Sequence, residues 1–438
     1  MKTFLWATAV TGALAAVSIG FSQTKSLAIR NVRIFDGAKV IARGTVVVTD
    51  GKIAAVGANV SIPPGAEIVE GAGKTLLPGL IDGHVHMSDS SLTRGAMPLE
   101  QATIYGVTTV LEMGVANPDD YQGFKKRVKA GEFPSGADLF TSGLGATVPD
   151  GFGNRSQKFT LTKPEEAQAW VDARIATGSD YIKIFSQDGT EHNRPVPAMN
   201  DETIAAVIAA AHKRGVLAVA HTLRQARARR AIAAGIDGLV HITPYDDPDP
   251  DFGKFAADHH IFYSTNLISY APPANKIDLA ADADLLPYVP KYVIEQLKAS
   301  RPFPDAHHEY SIAAFRQLKA SGVRIVAGTD IGEPYAPLLH AELDLMVRDG
   351  GMTPLEALTT ATANTADAYR LRDRGRIAKG LRADLLLVNG DPTQDIRATR
   401  KIAAVWKQGV RIDREAFRAK LPTFAAPPPQ GPPPGARP

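Results

Sequence analysis

The sequence predicts an α/β fold: a TIM-type (β/α)8 barrel joined to a small β-sandwich that both chain ends build. The barrel prediction rests on an alternation of short apolar runs and amphipathic helical stretches between residues 76 and 375. Eight runs end near His86, Met113, Ser142, Ser186, His221, Ile242, Asn266 and Asp330. Helical stretches such as residues 163–178, 200–215 and 222–235 separate most of them. Repeated βα units favour a parallel sheet, and eight of them favour its closure into a barrel.

The two chain ends predict β-structure of a different kind. Near the N-terminus, "TVVVTDGKIAAVG" is typical of a hairpin with Asp50 and Gly51 at the turn. Residues 383–412 contain further short β-runs broken by Gly and Asn. Neither segment can bury a face alone, so we expect one sandwich assembled from residues 23–75 and 376–420, flanking a barrel over residues 76–375.

The N-terminus resembles a secretory signal peptide over residues 1–22. Lys2 supplies the positive region, an apolar stretch follows, and small residues allow cleavage after Gly20 or Ser22. The alternative is an uncleaved N-terminal anchor. We expect an exported protein, periplasmic or secreted, with no membrane association after cleavage. Residues 421–438 form a Pro-rich tail, predicted to be extended.

Composition limits the classes of function. The chain has 438 residues, 44% of them hydrophobic, which is ample for a large core. The net charge is +3 with no dense basic stripe, so we expect no nucleic-acid partner. No cysteine is present, which excludes disulfides and a lipid anchor on an N-terminal cysteine. Oligomerisation is left open, and dimers or larger rings are compatible with the predicted surfaces.

Residues of metal-ligand type follow the predicted barrel strands. A barrel gathers the carboxyl ends of its strands around one pocket, so side chains far apart in sequence converge there. The two histidines of "GHVH" alternate in a strand and therefore face the same way. Such a set would suit two metal ions and a hydrolytic water. The candidate ligands are His84, His86, Lys183, His221, His241 and Asp330.

Lys183 is the least usual member of this set. In "DYIKIF" it would lie at the mouth of a barrel strand, where a buried ammonium costs several kcal/mol unless it is paired. It could pair with a carboxylate, bind a substrate as a cation, or form a Schiff base. The interpretation that uses every neighbour is a carbamylated lysine, because carbon dioxide on the neutral amine yields a carboxylate that can bridge two metals.

Several motifs together resemble the amidohydrolase superfamily. They are "LLPGLIDGHVHM", "GVTTVLEMG", "YIKIF", "AVAHT", "LVHI" and "AGTD". The Lys183 pattern is similar to the binuclear, carboxylated-lysine branch that includes Xaa-Pro dipeptidases, N-acyl-amino-acid hydrolases and ochratoxin-type amidases. Imidazolonepropionases are similar overall, but they are mononuclear and lack the lysine ligand.

The resemblance implies a role for each candidate ligand. His84, His86 and Asp330 would bind the more buried metal. His221 and His241 would bind the second, and N6-carboxylysine at position 183 would bridge the two together with a hydroxide. That hydroxide would attack the substrate carbonyl, and Asp330 would carry its proton to the leaving amine, which makes Asp330 and Lys183 the catalytic residues. The cofactors implied are two divalent ions, with zinc the ion that suits a histidine-rich site.

The predicted function is therefore hydrolysis of an amide or peptide C–N bond in a small molecule, such as an N-acyl amino acid or a dipeptide. One alternative is a mononuclear, imidazolone-type hydrolase of cyclic amides. Others are a lactonase or phosphotriesterase with the same metal pair, and a metal-binding protein without catalysis. Candidate substrate contacts are Tyr245, Arg155 and Arg224. Glu112 departs from the Arg-Asp frequent in dipeptide-hydrolysing relatives, which argues against a strict dipeptidase.

Overall fold

The computed structural model describes residues 26–87, 97–114, 118–153, 159–190, 195–272, 278, 281–298, 305–330 and 337–421. The predicted signal peptide and the Pro-rich tail beyond Leu421 lie outside these ranges. The α/β class is confirmed by the order of helices and strands. Within the described parts of the chain, no helix is both long enough and apolar enough to span a bilayer.

Sixteen strands are described. Those of the chain ends are β1 (Leu27–Phe35), β2 (Val40–Thr49), β3 (Lys52–Gly57), β4 (Glu67–Glu70), β5 (Lys74–Pro78), β14 (Leu385–Asn389), β15 (Ile402–Lys407) and β16 (Val410–Arg411). Those between are β6 (Leu80–Val85), β7 (Val107–Glu112), β8 (Asp138–Thr141), β9 (Ile182–Phe185), β10 (Ala218–His221), β11 (Gly238–Val240), β12 (Phe262–Ser264) and β13 (Arg324–Val326).

The helices lie mostly between the central strands. The first seven are α1 (Met97–Ile104), α2 (Pro118–Lys129), α3 (Ala167–Ala176), α4 (Asp201–Lys213), α5 (Gln225–Ala233), α6 (Phe252–Asp258) and α7 (Leu267–Tyr270). The others are α8 (Lys291–Lys298), α9 (Asp305–Ala320), α10 (Leu338–Arg348), α11 (Pro354–Thr360), α12 (Ala363–Ala368) and α13 (Arg414–Lys420). Short 3-10 turns occupy Pro164–Glu166, Leu286–Tyr288 and Ile396–Arg400.

Both chain ends contribute to one eight-stranded sheet. Its order is β16-β15-β14-β5-β1-β2-β3, and β4 pairs with β1. The predicted hairpin is confirmed, since β2 and β3 pair antiparallel and the turn residues Asp50 and Gly51 have φ of 51° and 73°. The core of the eight-stranded sheet includes Ile34 and Trp406, both nearly inaccessible to solvent. The strand pairings form a continuous sheet, so a division into two facing layers stays a prediction.

The eight central strands are parallel and form two sheets. One has the order β6-β7-β8 and the other runs from β9 to β13 in sequence order. The two sheets are also in contact at both edges. Gly83 N donates to Ala327 O at 2.8 Å on one side, and Ala146 N donates to Lys183 O at 2.7 Å on the other. The carboxyl ends of all eight strands therefore face the same region.

Asp138, the first residue of β8, anchors the terminal sheet to the amino-terminal end of the central strands. The buried Lys407 ammonium lies 2.8 Å from Asp138 and 3.3 Å from Asp384. Arg374 also contacts Asp138, at 2.5 Å. These ion pairs lie at the amino-terminal end of β8. The candidate site lies at the carboxyl ends of the strands and therefore does not include them.

Candidate metal centre

His84, His86 and Asp330, which we call the first triad, bring three donor atoms together. His84 lies in β6 with His86 two residues on, and Asp330 follows β13. Each histidine Nε2 lies 3.1 Å from Asp330 Oδ1, and the two Nε2 atoms are 3.3 Å apart. Ligands on adjacent corners of a zinc ion, at about 2.0–2.1 Å each, lie roughly 3.3 Å from one another. The donor set and its spacing therefore fit a divalent metal.

Lys183, His221 and His241, which we call the second triad, adjoin the first. The His241 ring centroid lies 4.7 Å from that of His84 and 4.3 Å from that of His221. His241 Nδ1 is 3.3 Å from Asp330 Oδ2, without the geometry of a hydrogen bond. The second triad thus lies directly beside the first, and His241 is the member that approaches Asp330 of the first triad.

Burial keeps the inner imidazoles uncharged. It places the pKa of His84 and of His221 well below the ordinary value and lowers the pKa of His241 to about 4. For Asp330, burial acts against the carboxylate, but the neighbouring His241 and His84 hold its pKa well below the usual range. Near neutral pH the site therefore contains neutral imidazoles and a carboxylate, which are the forms that bind metals.

The Lys183 side chain lies inside the fold, only 1% exposed. Burial lowers its pKa to about 7, although Asp330 and Glu112 act in the opposite direction through space. No carboxylate among the described residues forms an ion pair with it, so the ion-pair interpretation lacks a partner there. Near pH 7 a substantial fraction of the amine is neutral, and the neutral amine is the form that reacts with carbon dioxide.

Asp82 supports the first triad, a role that sequence reasoning missed. Its buried carboxylate accepts hydrogen bonds from His84 N at 3.1 Å, Thr329 N at 3.1 Å and Thr329 Oγ1 at 2.8 Å. It therefore links the two strand ends that carry His84 and Asp330. Burial raises the pKa of Asp82 to about 7. Its position two residues before His84 in "IDGHVH" was the available signal.

Glu112 is a second buried carboxylate beside the site. It is the last residue of β7, and it accepts hydrogen bonds from Gly114 N at 2.7 Å and Thr141 Oγ1 at 2.5 Å. Burial raises its pKa to about 7, while His86 and Lys183 act to lower it. The sequence singled out Glu112 only as a departure from its relatives, whereas the structure places it next to both triads.

Three strand ends at the two triads adopt unusual backbone conformations. His241, Asn266 and Asp330 have φ of 72°, 53° and 53°. Non-glycine residues rarely occupy this left-handed region, and such residues cluster at functional sites. Asn266 Oδ1 accepts from His241 N at 3.2 Å. The buried Glu342 of α10 fixes the adjacent turn by accepting from Leu267 N at 2.9 Å and Ile268 N at 2.7 Å.

The predicted substrate contacts have different surroundings. Arg224 Nη1 donates to Asp246 Oδ1 at 2.8 Å, so its guanidinium is already engaged in an ion pair. The ring of Tyr245 packs on that of His307, with centroids 4.3 Å apart. Arg155 lies outside the described residues. The role of each in binding substrate stays a prediction.

Aromatic rings pack around His221. The Phe152 ring stacks on the imidazole at 5.0 Å between centroids with an interplanar angle of 29°, and Phe185 lies 5.5 Å away. Phe152 belongs to the long connection after β8, and Phe185 is the last residue of β9. The surroundings of His221 beside the second triad are therefore apolar and aromatic.

Comparison with known proteins identifies the family. Residues 75–412 match the sequence model of the Amidohydrolase family, and the chain belongs to this family. It is similar to an imidazolonepropionase from Salinispora arenicola, with 26% identity over 420 residues that cover 90% of this chain and 96% of that protein. It is also similar to an ochratoxinase from Aspergillus niger, with 26% identity over 254 residues that cover 56% of this chain and 48% of that protein.

Solved structures show the same fold. The structure of a Xaa-Pro dipeptidase with bound methionine matches with a TM-score of 0.72 and 22% identity, covering 88% of this chain and 99% of that chain. At this identity the likeness concerns the fold alone. The predicted superfamily is confirmed, and the protein is a hydrolase that acts on C–N bonds.

Proposed function

We propose that the protein is an exported, binuclear amidohydrolase that cleaves an amide or peptide bond in a small substrate. Two features of the site carry the proposal. The donor atoms of the first triad lie 3.1–3.3 Å from one another. Beside them lies the buried Lys183, which forms no ion pair with a carboxylate of the described residues. A structural histidine cluster would not need an unpaired lysine in its midst, because the desolvation of the amine costs stability.

We further propose that the two parallel sheets close into one (β/α)8 barrel and that the terminal sheet folds into a sandwich. Backbone hydrogen bonds at both edges of the parallel sheets support closure, one from Gly83 to Ala327 and one from Ala146 to Lys183. Closure would place the strand-end residues around a single pocket, as the catalytic face of such a barrel requires.

Each triad has a distinct part in the proposed site. His84, His86 and Asp330 would bind one divalent ion, and His221 and His241 the other. The neutral Lys183 amine would add to carbon dioxide, forming an N–C bond and releasing one proton, and the resulting carbamate would bridge the two positions. When bound, the two ions, which we expect to be zinc, would supply a water of lowered pKa as nucleophile and would polarise the substrate carbonyl.

Asp330 is the proposed proton carrier. Its Oδ1 faces His84 and His86, and its Oδ2 faces His241, so the carboxylate lies between the two halves of the site. It would accept the proton of the attacking water and deliver it to the nitrogen of the leaving amine. Hydrogen bonds through Thr329 and Asp82 fix the backbone just before Asp330 and so limit its motion.

The apolar surroundings of His221 support a substrate with an aromatic or bulky apolar group next to the scissile bond. Phe152 and Phe185 pack around this imidazole. N-acyl amino acids and dipeptides with such a side chain are the proposed class.

A substrate screen with metal analysis on the same sample tests the proposal. N-acyl amino acids, dipeptides, phenylureas, imidazolone propionate and lactones are assayed side by side. We expect hydrolysis of amides and about two ions per chain. One ion with activity on the imidazolone only, or turnover of lactones only, would refute it. His212→Ala is a matched control, because His212 is half-exposed and pairs with Asp237.

Export is tested separately. The full chain and a variant that lacks residues 1–22 are expressed with a C-terminal tag, and the cell fractions are probed. Export of the full chain alone is expected, with a mass shortened by about that segment. Retention of both in the cytoplasm would refute the export proposal without touching the enzymatic one.

A further inference from the structure

Gln187 lies against the second triad. It lies two residues beyond the end of β9, which is the strand that carries Lys183, and it is only 1% exposed. Its amide oxygen Oε1 forms a hydrogen bond with His221 Nε2. The rings of Phe152, Phe185 and His241 surround the same imidazole at 5.0, 5.5 and 4.3 Å between centroids. These contacts therefore restrain the ring on several sides, and the remaining variable is which of its two nitrogens carries the proton.

An amide oxygen can only accept a hydrogen bond. An uncharged imidazole has a single N–H, so a hydrogen bond to Oε1 places that proton on Nε2 and leaves Nδ1 with a free lone pair. A metal ligand needs such a lone pair, and the partner of the other ring nitrogen selects which one is available. His84 and His86 differ, because both point Nε2 at Asp330.

We propose that Gln187 is a positioning residue that fixes His221 as the Nε2-protonated tautomer, so that Nδ1 is the atom offered to the second metal ion. The inference rests on the proposed binuclear function, and it names a part of that site which neither the motif nor the relatives assign. Gln187 does not touch the reacting atoms and acts through His221. Its amide nitrogen Nε2 is buried without a hydrogen-bond partner in the described structure, so holding the imidazole is the one polar contact that accounts for the side chain.

The first test uses the metal-free full chain with nitrogen-15 labelled histidine. Long-range nitrogen–proton spectra distinguish the two neutral tautomers, and the His221 signals are identified by their loss in His221→Gln. The wild type is expected to show a proton on Nε2. Gln187→Met, which keeps the volume and removes the acceptor, is expected to give a mixture of tautomers, and Gln187→Glu to restore the Nε2 proton. A proton on Nδ1 in the wild type would overturn the proposal.

The second test measures metal binding. Gln187→Met is expected to bind the first ion like the wild type and the second about 10–100-fold more weakly. Gln187→Glu is expected to recover most of the loss, which a merely structural role would not predict. Gln101→Met is the matched control, since Gln101 is an equally buried glutamine on α1 without a hydrogen-bond partner among the described residues. Equal second-ion affinity in the wild type and Gln187→Met would overturn the proposal.

The two tests separate this inference from the proposed function. If the wild type binds no metal and hydrolyses no amide, but its metal-free spectra show the Nε2 proton and lose it in Gln187→Met, the tautomer assignment stands and the function fails. If the enzyme is binuclear and active while Gln187→Met keeps the same tautomer, the function stands and the role of Gln187 fails.

Discussion

The two triads lie side by side but differ in how ready they are for metal. In the first triad the donor atoms lie within 3.3 Å of one another, and Asp82 ties their strand ends together. In the second triad His221 Nε2 forms a hydrogen bond with Gln187, and the buried Lys183 amine would become a ligand only after the proposed reaction with carbon dioxide. Backbone geometry therefore preforms the first half of the site, whereas in the proposed function the second half would depend on side-chain partners and a covalent change.

Replacement of Asp330 should have the largest effect, because this residue contacts both triads. Asp330→Asn keeps the shape, but the amide cannot take a proton from water at neutral pH. We expect kcat to fall by about 10³-fold or more, since general base catalysis and a metal ligand are lost together. Steady-state kinetics measures the loss, and circular dichroism checks that the fold persists. Activity within tenfold of the wild type would remove Asp330 from its proposed role.

Replacement of Lys183 should affect the second triad alone. Lys183→Ala is expected to retain about one ion per chain and to lose about 10²-fold or more in kcat/KM. Short carboxylic acids such as acetate or propionate should restore part of the activity by filling the place of the carbamate. Lys183→Arg should not be rescued, because a guanidinium does not form a carbamate and brings a fixed charge. If Lys183→Ala kept two tightly bound ions, the bridging role would be excluded.

Stepwise removal of metal gives a third comparison. A chelator titration is expected to remove one ion early, with loss of activity, and the ion of the preformed first triad late. Reloading should depend on bicarbonate for the second ion only, since only that position needs carbamylated Lys183. Metal content and melting temperature are followed together, because a bound ion raises the melting temperature by an amount that grows with the logarithm of its affinity. Simultaneous release of both ions, or equal dependence on bicarbonate, would show that the halves do not differ.

The sequence predicted the first triad better than the second. Apolar runs located each strand end to within a few residues, and "GHVH" defined its own geometry because alternate residues of a strand share a face. The hydrogen bond between Gln187 and His221 could not be predicted from the sequence, since it depends on the direction that a side chain takes after a strand has ended. The ion pair of Arg224 with Asp246 was missed for the same reason, as the two residues come from different connections.

The terminal sheet shows a similar limit. Short alternating runs predicted its strands and the Asp50–Gly51 turn, because local patterns determine these features. The pairing of β5 with β14 joins residues about 300 positions apart, and no local pattern specifies it. The anchoring of Lys407 between Asp138 and Asp384 was likewise not predictable, because a buried lysine at that position is interpretable only once its partners are known.

The smallest predicted effect concerns Glu342, which lies behind the second triad. Burial raises the pKa of Glu342 to about 7 from an ordinary value of 4.5, so the folded state favours the protonated carboxyl. The stabilisation that the protonated Glu342 contributes to the folded state is fully present below pH 4.5 and is lost as the pH rises through 7. Glu342→Gln stays neutral, so the wild type should lose up to about 3 kcal/mol more unfolding free energy between these pH values than the variant does.

Chemical denaturation at pH 5 and pH 7.5 measures this difference. Glu132→Gln is the matched control for the same change of side chain, since Glu132 is half-exposed in a surface pair with Arg127. Glu342 orders the turn that follows Asn266, whose Oδ1 accepts from His241 N. An identical pH dependence in Glu342→Gln and the wild type would show that the ionisation of Glu342 does not contribute to the stability of the fold in this range.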